Sequence, residues 1–166
     1  MKLTHWVAAA FSVACIATAH AQFNQKDHEF LVQAAGSNLY EIEAGKTAVG
    51  MAKSGDVRSF GSMLVKDHAA ANEKLEELAK SKSMAIPTAV PKDKQIKLDY
   101  LVASENFDQD FVKEVGLQDH AADIALFEKF SQQAQDSDIR AFATDTLPAL
   151  KAHLSQAEQL QKSLRQ

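Results

Sequence analysis

The chain has 166 residues, 46% of them apolar, which suits a single globular domain with a real core. Acidic and basic residues are interspersed and sum to a formal charge of −4, so no basic stripe offers itself to nucleic acid or to anionic lipid. Six glycines and three prolines, set among many alanines, leucines, lysines, glutamates and glutamines, favour helix, because those side chains lose little rotamer freedom there.

The first 21 residues read as a leader rather than as part of the fold. Lys2 supplies a positive start and Trp6 to Ala19 form an uncharged apolar run. Ala19-His20-Ala21 then offers the small residues that a signal peptidase reads. The run is too short to anchor in a bilayer. Cleavage after Ala21 leaves residues 22–166 as one mature domain, periplasmic or secreted. Lipid attachment at Cys15 is the weaker alternative, because Ser12 stands where an aliphatic residue is wanted. Cys15 is the only cysteine, so the mature domain has no disulfide and no thiol chemistry. His5 and His20 leave with the leader, and His28, His68, His120 and His153 remain. No mature segment reaches the roughly 18 apolar residues of a membrane span.

The first helix is expected from about Asp27 to Lys53, capped by Asn24 and stopped by Ser54-Gly55. Phe30, Leu31, Ala34, Ala35, Leu39, Ile42, Val49 and Ala52 follow its period. The second runs from Asp56 to about Lys82, with Val57, Gly61, Leu64, His68, Ala71, Leu75 and Leu78 stepping by fours and threes. Pro87 and Pro91 then exclude helix just before them, and Lys92 to Val102 form a short helix of their own. This connection is long, since antiparallel neighbours need only about two to eight residues between them. A link of that length can travel the whole bundle.

The third long helix is expected from about Glu105 to Ala134 with Ser104 as its cap, carrying Phe107, Phe111, Val115, Ile124, Phe127 and Phe130. Asp136-Ser137-Asp138 makes the turn into the fourth, where Ile139, Ala143, Thr146, Leu150, His153, Ala157, Leu160 and Leu164 carry the seam. Pro148 lies inside that pattern and removes the donor to the Thr144 carbonyl, which predicts a bend. The fold class is all-α: a four-helix bundle with a long helix 2–3 connection. Crossover and up-down topologies both remain open.

Four polar residues stand where this pattern wants apolar ones. His68 and His153 occupy seam positions, and His120 lies one turn before Ile124. Glu41 falls on the stripe of Phe30, Ala34, Ala44, Ala48 and Met51. His28, near a helix end, is an ordinary surface residue. Glu41 and His68 lie 13 and 14 residues from Ser54, and His120 and His153 lie 16 and 17 from Asp136. At 1.5 Å per residue the two pairs come within about 5 Å of the same depth in either topology. Burying four polar groups costs several kcal/mol unless they pair or hold an ion. Three imidazoles and a carboxylate suit a single zinc, iron, manganese or copper ion. The alternative is a hydrogen-bonded network that only fixes helix register, in a non-enzymatic envelope protein that interacts through its surface. Asp67 and Asp119 point about 100° away around their helices and reach the group only if a neighbouring helix turns them inward.

From Asp27 onward the sequence resembles an exported bacterial family known as domain of unknown function 4142, within the ferritin-like superfamily. The matching pieces are Asp27-x-x-Phe30, Tyr40-Glu41-Ile42-Glu43-Ala44-Gly45, Lys66-Asp67-His68, Phe107-Asp108, His120, Phe127 and Leu147-Pro148-x-x-x-x-His153-Leu154. The resemblance implies a ferritin-like bundle and an exported location, and assigns no activity. Di-iron members of that superfamily use Glu-x-x-His on two helices. Here Val65 and Leu150 stand three residues before His68 and His153, so both bridging carboxylates are missing and a di-iron oxidase or ferroxidase site is disfavoured. No nucleophile elbow or other catalytic motif appears. If the leader is processed as read, intact-mass measurement of protein recovered from the cell envelope will find a chain beginning at Gln22 and free of lipid.

Overall fold

The structure, a computed structural model, describes residues 24–165. The expected leader therefore lies outside the described residues. Helix α1 spans Gln25–Met51, and the Asn24 carboxamide caps it, accepting from the amides of Lys26 and Asp27 at 2.9 and 3.3 Å. Helix α2 spans Gly55–Ser81 behind the cap Ser54. The connection contains α3, Lys92–Val102, with the bounds expected. The third long helix is built of α4 (Phe107–Phe111), a π segment (Val112–Asp119) and α5 (His120–Gln133). Helix α6, Ser137–Ser163, starts at the cap Asp136 and runs through Pro148 without interruption.

The topology is the crossover. Asp108, at the start of α4, accepts from the amides of Lys53 and Ser54 at 3.0 and 2.7 Å, which places it at the α1–α2 turn. Asp27, at the start of α1, accepts from the amides of Gln135 and Asp136 at 3.0 and 2.9 Å, at the α5–α6 turn. Each hairpin's first helix thus caps the other hairpin's turn, and the two turns lie at opposite ends. Helix α2 and the third long helix run parallel, and the connection travels the bundle's length along α1.

The two turns repeat one motif. Ala52-Lys53-Ser54-Gly55-Asp56-Val57-Arg58 and Ala134-Gln135-Asp136-Ser137-Asp138-Ile139-Arg140 share Ala-x-(Ser/Asp)-x-Asp-(Val/Ile)-Arg, and Asp27-x-x-Phe30 recurs as Asp108-x-x-Phe111. The shared arginines do one job. Arg58 donates to the carbonyls of Ala52 and Lys53, and Arg140 to those of Ala134 and Gln135, satisfying acceptors left over at a helix end.

Two apolar clusters fill the bundle. One gathers Tyr40, Ala44, Phe60, Leu64, Phe111 and Val115, and the other Phe30, Leu31, Leu75, Phe127, Phe130 and Ile139. Met51 and Val49, expected on the inner stripe, are instead exposed at 44% and 43%, and the inward face of that stretch runs through Ala44, Ala48 and Ala52. Ser104 does not cap the third helix. Its hydroxyl accepts from Asn106, and the helix begins two residues later than expected, at Phe107. Where α1 and α2 cross, the backbones touch. A Cβ on Gly61 would lie 2.8 Å from the Gly45 carbonyl oxygen, and one on Gly45 2.7 Å from that of Gly61. Gly61→Ala should therefore cost about 1–3 kcal/mol of stability, since a rigid backbone must move to admit the methyl group. Gly50→Ala, with nothing within 4 Å of its Cβ position, should be neutral or gain up to about 1 kcal/mol. Urea midpoints of the two variants test the contrast.

Candidate metal centre

All four residues singled out in the sequence are buried at mid-bundle. Glu41 (α1), His68 (α2), His120 (start of α5) and His153 (α6) are each no more than 3% exposed. The three imidazoles face one another, with ring centroids 5.5, 5.3 and 5.2 Å apart. One nitrogen from each lies within 4.8 Å of the other two. Glu41, expected as a fourth ligand, is outside that set. Its carboxylate stands 3.1 Å from His68 Nδ1 and 3.3 Å from His120 Nδ1, with neither contact aligned as a hydrogen bond.

The acceptors around the triad decide where the ring protons sit. His120 Nδ1 is 2.8 Å from the Val115 carbonyl, which can only accept, so Nδ1 carries the hydrogen. His68 Nδ1 faces Asn38 Oδ1 at 2.9 Å as well as Glu41, and both are acceptors. His153 Nε2 faces the Asp67 carboxylate at 3.0 Å. With neutral rings, the lone pairs left over are His68 Nε2, His120 Nε2 and His153 Nδ1. The last two lie 3.1 Å apart, and His68 Nε2 is buried without a partner. Two imidazole lone pairs at that distance repel unless a proton or a metal ion lies between them. Burial and the neighbouring histidines hold His68 well below the ordinary imidazole range. Burial likewise lowers His120 to about 4, against the pull of the Val115 carbonyl. Both rings are therefore neutral near pH 7. Burial, with the charges of Asp123 and Asp119, pushes the Glu41 carboxyl well above its usual range.

Three supporting features were not read from the sequence. Asn38 sits one turn before Glu41 and turns its amide onto His68. The π segment ends at His120, and its Val115 carbonyl meets that imidazole. A π turn carries one residue more than an α turn, so the inward positions step from Val115 and Gly116 to His120 and then to Asp123 and Phe127. Gly116 keeps this wider turn close to α6, since a Cβ there would meet that of Ala157 at 2.7 Å. Asp123, one turn after His120, is buried and accepts from the Ser37 hydroxyl at 3.1 Å. Of the two flanking aspartates, Asp67 is brought to His153 across the α2–α6 contact and stays 38% exposed, while Asp119 pairs with Lys97 of α3. His28 ties α1 to the connection, with Nε2 2.6 Å from the Ala85 carbonyl oxygen.

Fold and site together define a four-helix bundle with one long crossover and a buried histidine triad. The family described as "Domain of unknown function (DUF4142)" matches residues 14–160, and the chain belongs to it. Among solved structures it is similar to CopM in the Cu(I)-bound form, with a TM-score of 0.71, 13% identity and coverage of 83% of this chain and 96% of that one. CopM in the Cu(II)-bound form gives a TM-score of 0.68 at 13% identity, covering 83% and 97%. At that identity the likeness is one of fold. No curated protein matches in sequence. No helix among the described residues is long and apolar enough to cross a membrane.

Burial raises the Asp123 carboxyl from 3.8 to about 6, so its contribution to stability is complete below about 3.8 and lost as pH rises through about 6. Asp123→Asn keeps an acceptor for Ser37 and removes that loss. Between about pH 4 and pH 7 the variant should gain up to about 3 kcal/mol relative to the parent, read from paired urea unfolding curves. A difference that does not change with pH would contradict the burial argument.

Proposed function

We propose that the mature protein is an exported, ferritin-like metal-binding bundle that holds one transition-metal ion on His68, His120 and His153. The observation that carries this reading is the placement of oxygen acceptors around the triad. Each imidazole has one ring nitrogen facing an oxygen acceptor, which leaves its other nitrogen for the centre of the triad. Metal-bound histidines are oriented in this way, with the far nitrogen held by a carboxylate or carbonyl. Metal–nitrogen bonds of about 2.0–2.1 Å require nitrogens roughly 3.3–3.6 Å apart, and a group within 4.8 Å with one pair at 3.1 Å fits that demand. Buried polar atoms without hydrogen-bond partners also concentrate here, on Asn38, Glu41 and His68.

In this reading Glu41 lies behind two of the rings, 3.1 and 3.3 Å from their Nδ1 atoms, and would ionise on metal binding to supply the negative charge that a buried cation needs. With Val65 and Leu150 in the places of bridging carboxylates, the site takes one ion rather than two. Neutral imidazoles accept zinc, copper, iron or manganese. The copper forms of CopM, which share the fold, make copper the first ion to try. A bound ion of this kind supplies redox or Lewis-acid chemistry, consistent with a stress-protective role in the periplasm. The one-crossover topology, shared with ferritin-like folds, and the apolar leader support the superfamily and the export.

One observation favours a competing reading. A proton on His153 would let that ring donate to both Asp67 and His120, completing a network that sets register without metal. The two readings separate on purified, untagged mature protein. A metal centre gives about one ion per chain and a thermal midpoint that rises with added metal. At 100-fold excess over Kd the stabilisation would be about 2.7 kcal/mol. His68→Ala and His153→Ala should remove both effects. If no ion binds and the midpoint ignores added copper and zinc, the register network is the correct reading.

A further inference from the structure

Between α1, the crossover and α5 lies a second feature, a cleft of about 680 Å³. That volume falls within the range of about 300–1,000 Å³ typical of small-molecule sites. Val32, Pro87, Pro91 and Leu126 form apolar walls. Pro91 reaches its place because Gly36 has no side chain, since a Cβ there would lie 2.9 Å from the proline ring. Asp93 and Lys129 are exposed at the mouth, and Ser37 and Asp123 line the buried inner end.

Asp123 gives this cleft its chemistry. One carboxylate oxygen accepts from Ser37. The other has no hydrogen bond among the described residues and is not among the sealed buried atoms, so it opens into the space that Asp123 lines. No lysine or arginine among the described residues comes within ion-pair distance of it. The Lys94 ammonium also lines the cleft and its charge favours the Asp123 carboxylate, but it stands over the Tyr40 ring, 5.2 Å from its centroid, and makes no ion pair with that carboxylate. A carboxylate only 8% exposed, with its charge unpaired at the end of an apolar cleft, is costly to maintain unless something supplies a donor.

We propose that the cleft is a binding site for a small organic amine, whose ammonium group pairs with Asp123 and whose apolar body lies on Val32, Pro87, Pro91 and Leu126. An organic acid would meet like charge at the inner end. An alcohol would donate one hydrogen bond and leave the charge uncompensated. A bare divalent ion would find one carboxylate and one hydroxyl, far fewer oxygen ligands than such ions take. The aspartates and lysines of the lining balance, and the chain's net charge of −4 does not repel a cation at a distance.

The proposal stands apart from the metal centre and is tested on the mature protein both metal-free and copper-loaded. Phenethylamine, phenethyl alcohol and phenylpropionate are titrated while amide resonances are followed by NMR. The amine should saturate, shift the signals of Ser37, Asp123 and Leu126, and bind at least about tenfold more tightly than either analogue. Asp123→Asn should weaken it by a similar factor, and Leu126→Trp should block it by filling the cleft. The comparison of the three compounds uses the unaltered chain and does not depend on any variant folding. Equal binding of all three, binding unchanged in Asp123→Asn, or no saturation at millimolar amine would each overturn the proposal.

Discussion

Three imidazoles packed into a dry interior must each find an acceptor for a ring N–H. The bundle meets this by surrounding the triad with acceptors: the Val115 carbonyl, the Asn38 and Glu41 oxygens, and the Asp67 carboxylate. The Val115 carbonyl, Asn38 Oδ1 and the Asp67 carboxylate each face one ring nitrogen, and the remaining nitrogens are left to the interior. Burial lowers the proton affinity of His68 and His120, so acid does not readily protonate them. The site is thus defined from the outside, by groups that never touch its centre.

Holding four helices at the correct depth makes this possible. A slip of one turn is about 5.4 Å, as large as the separation of the rings themselves. Asp27 and Asp108 prevent it by bonding the turn of the opposite hairpin, and the arginines Arg58 and Arg140 close the carbonyl ends of the same turns. The glycine contact between α1 and α2 brings Asn38 and Glu41 against His68. The Gly116–Ala157 contact brings the π segment against α6, and with it His120 against His153.

Much of this arrangement is legible in the sequence, and each gap has a physical reason. His68 and His153 interrupt an unbroken four-three seam, so period alone exposes them. Glu41 and His120 need the depth count as well, and the crossover puts both pairs at one level. Asn38 escapes because a polar residue three positions before a glutamate looks like one more solvated turn; only the packing of α2 against that side of α1 gives it His68 as a partner. The π segment is invisible to a uniform α period over Glu105 to Ala134, although the five-residue step from Val115 to His120 marks it. Asp67 points away from the seam of its own helix, and only the neighbour α6 turns it into a partner. The paired turn motifs are different: both are written out in the residues, and aligning them is enough to indicate two related hairpins.

Those hairpins are not equivalent at the centre, and the difference matters for what the site can do. Counting from Asp27 and Asp108, and allowing one residue for the π turn, Asn38-x-x-Glu41 aligns with His120-x-x-Asp123. One half therefore offers an amide where the other offers an imidazole. His68 is the only imidazole that the first hairpin brings to the triad, while His120 and His153 come from the second. Neither hairpin alone presents three converging nitrogens. A ligand bound to all three gains affinity only when the hairpins are docked, so its binding free energy becomes free energy of docking. If the proposed ion binds, the same coupling offsets the cost of the buried, sparsely partnered polar atoms at mid-bundle. The cost of the interior falls on the interface that a bound ion would close.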